Sequence, residues 1–166
     1  MSAVKGLNTY QLDEALRTNL TTKPHYDGIY AVDKLGDIKH RPHMIIVNTD
    51  PHYMPGQHWL LLNFIDNGTV EMFDSLGKDM TMYSIHLKNF IKLFATHVDQ
   101  IPYRIQPVGS ALCGHYCLYY AYFCSLGERM QDILDHIPTP DRLEHMIHLM
   151  FNIVSINSSC QSCKFN

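Results

Sequence analysis

At 166 residues the chain has the length of one compact domain, and with 46% hydrophobic and 17% charged residues it is not globally disordered. A formal net charge of −3 excludes a broad basic surface for non-specific nucleic-acid binding, and the longest apolar runs, such as Met44–Val47 and Trp59–Leu62, are too short to cross a bilayer. Met1–Gly6 lacks the apolar stretch of a secretory signal, and the odd count of five cysteines reads as reduced thiols, so an intracellular protein is expected.

No internal repeat, low-complexity stretch or dividing linker interrupts the chain, so a single domain over 1–166 is expected. Leu12, Ala15, Leu16 and Leu20 recur at helical spacing, and Asn8 with Gln11 can form a reciprocal cap, which predicts a helix over 9–20. Thr21–Arg41, punctuated by Pro24, Gly28 and Gly36 and followed by Pro42, reads as mostly irregular. Strands are predicted at His43–Thr49, His58–Ile65 and Thr69–Phe73; Asp66-Asn67-Gly68 between the last two is a hairpin signal.

Ile85, Leu87, Phe90, Ile91, Phe94 and Val98 predict an amphipathic helix over Met80–Val98, and Ile101–Gln106 a short fourth strand closed by Pro107 and Gly109. Ala111–Leu126 is apolar or aromatic almost throughout, the mark of a helix buried on most sides. Two further helices are predicted at Arg129–His136 and Asp141–Val154, with Pro138 and Pro140 between them and a polar tail expected to fray from Ser155. This order predicts an α+β fold: a small, mainly antiparallel sheet flanked by helices, with Cys113 at the start of the buried helix.

Attack by a cysteine requires a thiolate, a base, a group that orients the base, and donors for the oxyanion. Four residues stand in an order that can supply them. His58 opens a strand in Gly56-Gln57-His58-Trp59, and Asp74 ends the next in Met72-Phe73-Asp74-Ser75-Leu76-Gly77. Gln106 ends the fourth strand, and Cys113 begins the buried helix in Ser110-Ala111-Leu112-Cys113-Gly114. A helix N-terminus carries about half a positive charge and unpaired N–H groups, so it stabilises a thiolate and can face an oxyanion. His58 and Asp74, at the ends of paired strands, can meet although 16 residues apart. A cysteine alone in an apolar helix is ordinarily an inert core thiol; that reading is kept for Cys117 and Cys124.

The order His, Asp, Gln, Cys, with Gln106 seven residues before Cys113, resembles the adenovirus protease (adenain) family of cysteine endopeptidases. Its wider clan includes proteases that process SUMO- and ubiquitin-like proteins. Pro24-His25-Tyr26-Asp27-Gly28-Ile29-Tyr30 is similar to the family's loop after the first helix, and Ile46-Val47-Asn48-Thr49 with Gly56-Gln57-His58-Trp59 to its histidine strand. Phe73-Asp74-Ser75-Leu76-Gly77 is similar to its acidic segment, where adenoviruses commonly carry Glu, and Gln106 through Cys117 to the segment joining glutamine and nucleophile.

The resemblance implies Cys113 as nucleophile, His58 as general base, Asp74 orienting it, Gln106 in the oxyanion hole, and Trp59 shielding the imidazole edge. It also implies protein substrates: viral or element-encoded precursor polypeptides, cleaved at Gly-containing sites during particle maturation. The source would be an adenovirus-like virus or a virus-like DNA transposon, with the enzyme in the host nucleus or cytoplasm or packaged in virions.

Two features depart from the family. Mammalian adenovirus enzymes are activated by a peptide disulfide-linked to a cysteine shortly before the glutamine. Here Ile101-Pro102-Tyr103-Arg104-Ile105 holds none, so no covalent activator is expected. A non-covalent peptide adding a strand along Ile101–Gln106 stays open. The net charge implies weak nucleic-acid binding at most and, at physiological salt, no more than weak stimulation by DNA from a local patch. No required cofactor, no membrane association and a monomeric state complete the expectation. The alternatives are a deubiquitinating or SUMO-like deconjugating peptidase of the same clan, and a non-catalytic peptide-binding domain. His145-Met146-Ile147-His148 and Cys160-Gln161-Ser162-Cys163 have zinc-compatible spacings, but the first is a common helix-face pair and the second sits in the tail, so no metal site is expected.

Overall fold

The computed structural model describes residues 5–153. Val154, the tail from Ser155, and the Cys160 and Cys163 pair lie outside them. Five strands, β1 (Tyr26–Ala31), β2 (Met44–Asn48), β3 (Trp59–Phe64), β4 (Thr69–Phe73) and β5 (His97–Gln100), form one sheet in chain order. Five helices surround it: α1 (Thr9–Thr18), α2 (Ile85–Phe94), α3 (Cys113–Ser125), α4 (Met130–Asp135) and α5 (Pro140–Phe151). Short 3₁₀ turns occupy Val32–Asp37 and Met80–Met82.

The helix-flanked sheet is as expected, but its pairing is evenly mixed. β2, β3 and β4 pair antiparallel, while the edge pairs β1–β2 and β4–β5 are parallel. Parallel neighbours need a crossover connection. Val32–Asp37 and α2 provide the two crossovers, and they pack against each other on one face of the sheet.

Side-chain alternation along the strands divides the core in two. Met44, Ile46, Trp59, Leu61 and Phe73 face the layer of α1, α3, α4 and α5. Ile45, Val47, Leu60, Leu62, Val70 and Met72 face the opposite layer, with Leu35, Leu87, Phe90 and Ile91. Helix α3 is the centre of the first layer: Tyr116, Leu118, Tyr120 and Ala121 are fully or almost fully buried, and the Tyr120 ring stacks on Phe73 at 4.3 Å.

The Asn8–Gln11 capping box forms as expected, with both reciprocal bonds in place. Three expectations are corrected. Thr21–Arg41 contains β1, hidden because Asp27-Gly28 reads as a turn; a register irregularity between Tyr26 and Gly28 absorbs it. The helix predicted over Met80–Val98 is confined to α2, because Asp79 caps a separate 3₁₀ turn and His97–Gln100 pairs with the free edge of β4. Ile101–Gln106 is not a strand: Pro102 has no N–H for a ladder, and the N–H groups of Ile105 and Gln106 both go to Ser75 O. Gln106 therefore stands in a loop beyond β5, not at a strand end.

Candidate active site

Asp74 follows the last residue of β4 and is almost fully buried. A buried carboxylate needs donors on both oxygens. Oδ1 accepts from His58 Nε2 at 2.6 Å and from the Leu76 N–H at 2.8 Å; Oδ2 accepts from the Lys78 N–H at 2.9 Å and from the Tyr83 hydroxyl. Burial pushes this carboxyl up, but the bonds from His58, Tyr83 and Leu76 outweigh it and hold the pKa below the ordinary value. The turn closes with the Gly77 N–H on Asp74 O at 2.9 Å. Only glycine fits there: Gly77 has φ +63°, and a Cβ would lie 2.2 Å from the Tyr103 backbone.

His58 immediately precedes β3, its carbonyl accepting from Thr49 N–H at 3.0 Å, and the imidazole is buried. Nε2 is committed to Asp74, which leaves Nδ1 as the ring position for proton exchange with the thiol. Burial works against the imidazolium, yet the bonds to Asp74 and Cys113 and the nearby negative charge raise the pKa to about 9.

Cys113 is the first residue of α3, and no side chain caps that end. Burial pushes the thiol up; the bond to His58, the N–H groups of Trp59 and Gly114, and the imidazolium charge pull it below its ordinary value. The same turn brings the N-terminal segment close, since a Cβ on Gly114 would sit 3.2 Å from Leu7 Cβ. The Trp59 indole donates to Leu7 O at 3.1 Å, so that ring is held on this segment beside the histidine.

Gln106 is buried with both ends of its amide engaged. Oε1 accepts from Ser75 Oγ at 2.7 Å, and Nε2 donates to Ser110 O at 2.7 Å. The geometry thus joins His58, Asp74 and Cys113 directly and places Gln106 on the residue next to Asp74. Sequence reasoning missed Ser75 and Tyr83. Ser75 adjoins Asp74 but looks like a turn residue, and Tyr83 carries no signal at all because its contact depends on the chain returning before α2. Among the described residues no group of three or more His, Cys, Asp and Glu side chains is arranged to hold a metal ion.

No family model matches the sequence, and no curated protein matches it significantly. Solved structures do match. The ASFV pS273R protease superimposes with TM-score 0.63 at 14% identity, covering 90% of this chain and 68% of that one. The fold is that of the ASFV protease. A selenomethionine structure of the same protease gives TM-score 0.58 at 15% identity over 90% and 69% of the two chains. The central domain of an uncharacterized protein from Legionella pneumophila gives 0.51 at 11% identity, over 90% of this chain and 95% of that domain. At such identities the likeness is one of fold, and the site rests on its own geometry.

Proposed function

We propose that this chain is a cysteine endopeptidase with Cys113 as nucleophile, His58 as base and acid, Asp74 as its orienting carboxylate and Gln106 as an oxyanion donor. The observation that carries the reading is the arrangement itself: buried His58 donates Nε2 to buried Asp74 at 2.6 Å and meets Cys113 at the start of α3, which raises His58 to about 9 and lowers Cys113. Opposed shifts of this kind favour a thiolate–imidazolium pair near neutral pH. The fold shared with a viral protease and the sequence resemblance to adenain support it.

In the reaction, the Cys113 thiolate bonds to the scissile carbonyl carbon and the carbonyl π pair moves to oxygen. The Cys113 N–H and a Gln106 Nε2–H receive that charge. His58 then donates its proton to the leaving amine, which departs and leaves a thioester. Neutral His58 next takes a proton from water, and the resulting hydroxide attacks the thioester, releasing acid and restoring the thiolate. Asp74 holds the ring and its charge throughout.

The substrates in this reading are precursor polypeptides cut at Gly-containing sites during particle assembly, with the enzyme inside the host cell or packaged in virions. A deconjugating peptidase would use the same four residues. The enzyme works without a disulfide-linked peptide or DNA, as a monomer. Tests use the purified chain in reducing buffer with a peptide vinyl sulfone ending in glycine and a Gly-Gly aminocoumarin reporter. Labelling at Cys113 and reporter turnover lost in Cys113→Ala are expected. Labelling confined to other cysteines, or turnover that survives Cys113→Ala, contradicts the assignment. A requirement for an oxidised peptide or for DNA contradicts the self-sufficient form.

A further inference from the structure

We infer that Ser75 is a positioning residue for the oxyanion, setting which atom of the Gln106 amide faces the reacting carbonyl; this rests on the cysteine-peptidase reading above. Donor and acceptor capacity decides how the amide is turned. Ser110 O can only accept, so the amide end 2.7 Å from it must be Nε2. That bond uses one of the two N–H groups, and one remains for an oxyanion. The opposite end, Oε1, is fixed by the Ser75 hydroxyl at 2.7 Å. Ser75 also holds the backbone of the same loop, its carbonyl accepting the N–H of Ile105 at 3.0 Å and of Gln106 at 2.9 Å.

One almost fully buried residue therefore fixes Gln106 at both main chain and side chain. It is also the next residue after Asp74, so the carboxylate arm and the oxyanion arm are registered to each other through one peptide link. Without the hydroxyl, the buried Oε1 has no donor. The amide is then held only through Nε2 on Ser110 O, and turning about that single bond swings its second N–H away from a developing negative charge.

Two reactions of Cys113 separate positioning from general support. Acylation by an acetylglycine p-nitrophenyl ester bonds Sγ to the carbonyl carbon, sends the π pair to oxygen, and on its return expels p-nitrophenolate, leaving a thioester. Alkylation by iodoacetamide displaces iodide directly and forms no oxyanion. Ser75→Ala is expected to slow acylation roughly 10–100-fold, less than the roughly 10²–10³-fold for Gln106→Ala, because the amide still samples its working orientation. Both variants are expected to alkylate within about two-fold of the parent, and the double variant to acylate no more slowly than Gln106→Ala alone.

Full acylation by Ser75→Ala, or additive losses in the double variant, overturns the inference. Equal falls in acylation and alkylation would show a merely structural role and overturn it as well. Slow alkylation of Cys113 in the parent protein at mildly acidic pH is the distinct failure of the peptidase reading, and takes the inference with it. If Ser75→Ala does not fold, Ser75→Cys, of the same shape and with a far weaker donor, carries the same comparison.

Discussion

Cys113 and Cys117 stand one turn apart on α3, and Trp59 meets them with opposite polarity. The Trp59 backbone N–H is a donor toward the Cys113 sulfur and helps to hold its pKa down. The Trp59 carbonyl accepts from the Cys117 thiol at 3.6 Å. Burial pushes Cys117 well above its ordinary value, and the neighbouring charges of Cys113 and Asp74 push the same way. Cys124, further along the helix, donates to Ala121 O at 3.4 Å and is likewise pushed up by burial. Cys113 and Cys117 are both buried and Cys124 is half-buried, so burial alone does not separate the reactive thiol from its neighbours. What separates them is whether the surrounding groups donate to sulfur or accept from it.

The largest effect should come from exchanging the fates of the two neighbours. Cys113→Ala is expected to abolish ester acylation and peptide turnover while the midpoint of thermal unfolding hardly moves. Cys117→Ala should retain most of the turnover and lower stability by about 1–2 kcal/mol, the combined transfer and cavity effect of one buried sulfur. Turnover assays and denaturant titration check both; turnover lost in Cys117→Ala and kept in Cys113→Ala would break the comparison.

Removing the charge behind the histidine comes next. In Asp74→Asn the imidazole loses its carboxylate, so its pKa should fall from about 9 toward the ordinary range. Turnover should drop by roughly 10²–10⁴-fold, as for loss of a positioned acid–base group. The pH dependence follows with a definite sign. His58 is raised in the folded chain, so the stability it contributes is fully present below its unfolded value near 6.5 and disappears as pH rises through about 9. Cys113 is lowered, so its contribution is lost as pH falls through its folded value. Turnover in the parent should therefore be bell-shaped with an alkaline limb near 9, which a pH–rate profile measures, and Asp74→Asn should move that limb to lower pH.

How much of this was legible in the chain varies by residue. His58 and Asp74 could be paired because each sits at the end of a strand whose hairpin, marked by Asp66-Asn67-Gly68, fixes the register. Even there the mechanism differs from the expected Asn-Gly turn: neither Asn67 nor Gly68 takes positive φ, and Asp66 Oδ1 accepts from Gly68 and Thr69 N–H at 2.8 Å each. Cys113 could be placed at a helix start because the apolar run begins there. Gln106 was found by spacing to Cys113, but its surroundings were not, since no local pattern says that residues 103–106 leave the sheet and fold onto Ser75. β1 and β5 were missed for the same reason: both are edge strands whose pairing is decided across the sheet and not along the chain.

Smaller perturbations sharpen the picture at its rim. Gly77→Ala should lose more than about 1 kcal/mol, because φ +63° and the 2.2 Å approach to Tyr103 leave no room for a Cβ. Acylation should slow with it, since Tyr103–Arg104 leads directly to Gln106. Tyr83→Phe removes one of four donors to Asp74, and only a few-fold loss of turnover is expected. The sign at acid pH is again fixed: with its carboxyl less depressed, the variant should lose Asp74's contribution at a higher pH as acid is added. Acid unfolding followed by circular dichroism measures this.

The most direct test is the rate of iodoacetamide alkylation at each cysteine as a function of pH, mapped by mass spectrometry in the folded protein. Cys113 is expected to react at mildly acidic pH ahead of the other four thiols. His58→Ala should move the Cys113 profile up toward an ordinary thiol, while Cys117 stays silent until the protein unfolds and Cys124, pushed up by burial, reacts only at alkaline pH. A Cys113 profile that already matches an ordinary thiol, or one that His58→Ala leaves unchanged, would contradict the assignment of Cys113 as nucleophile.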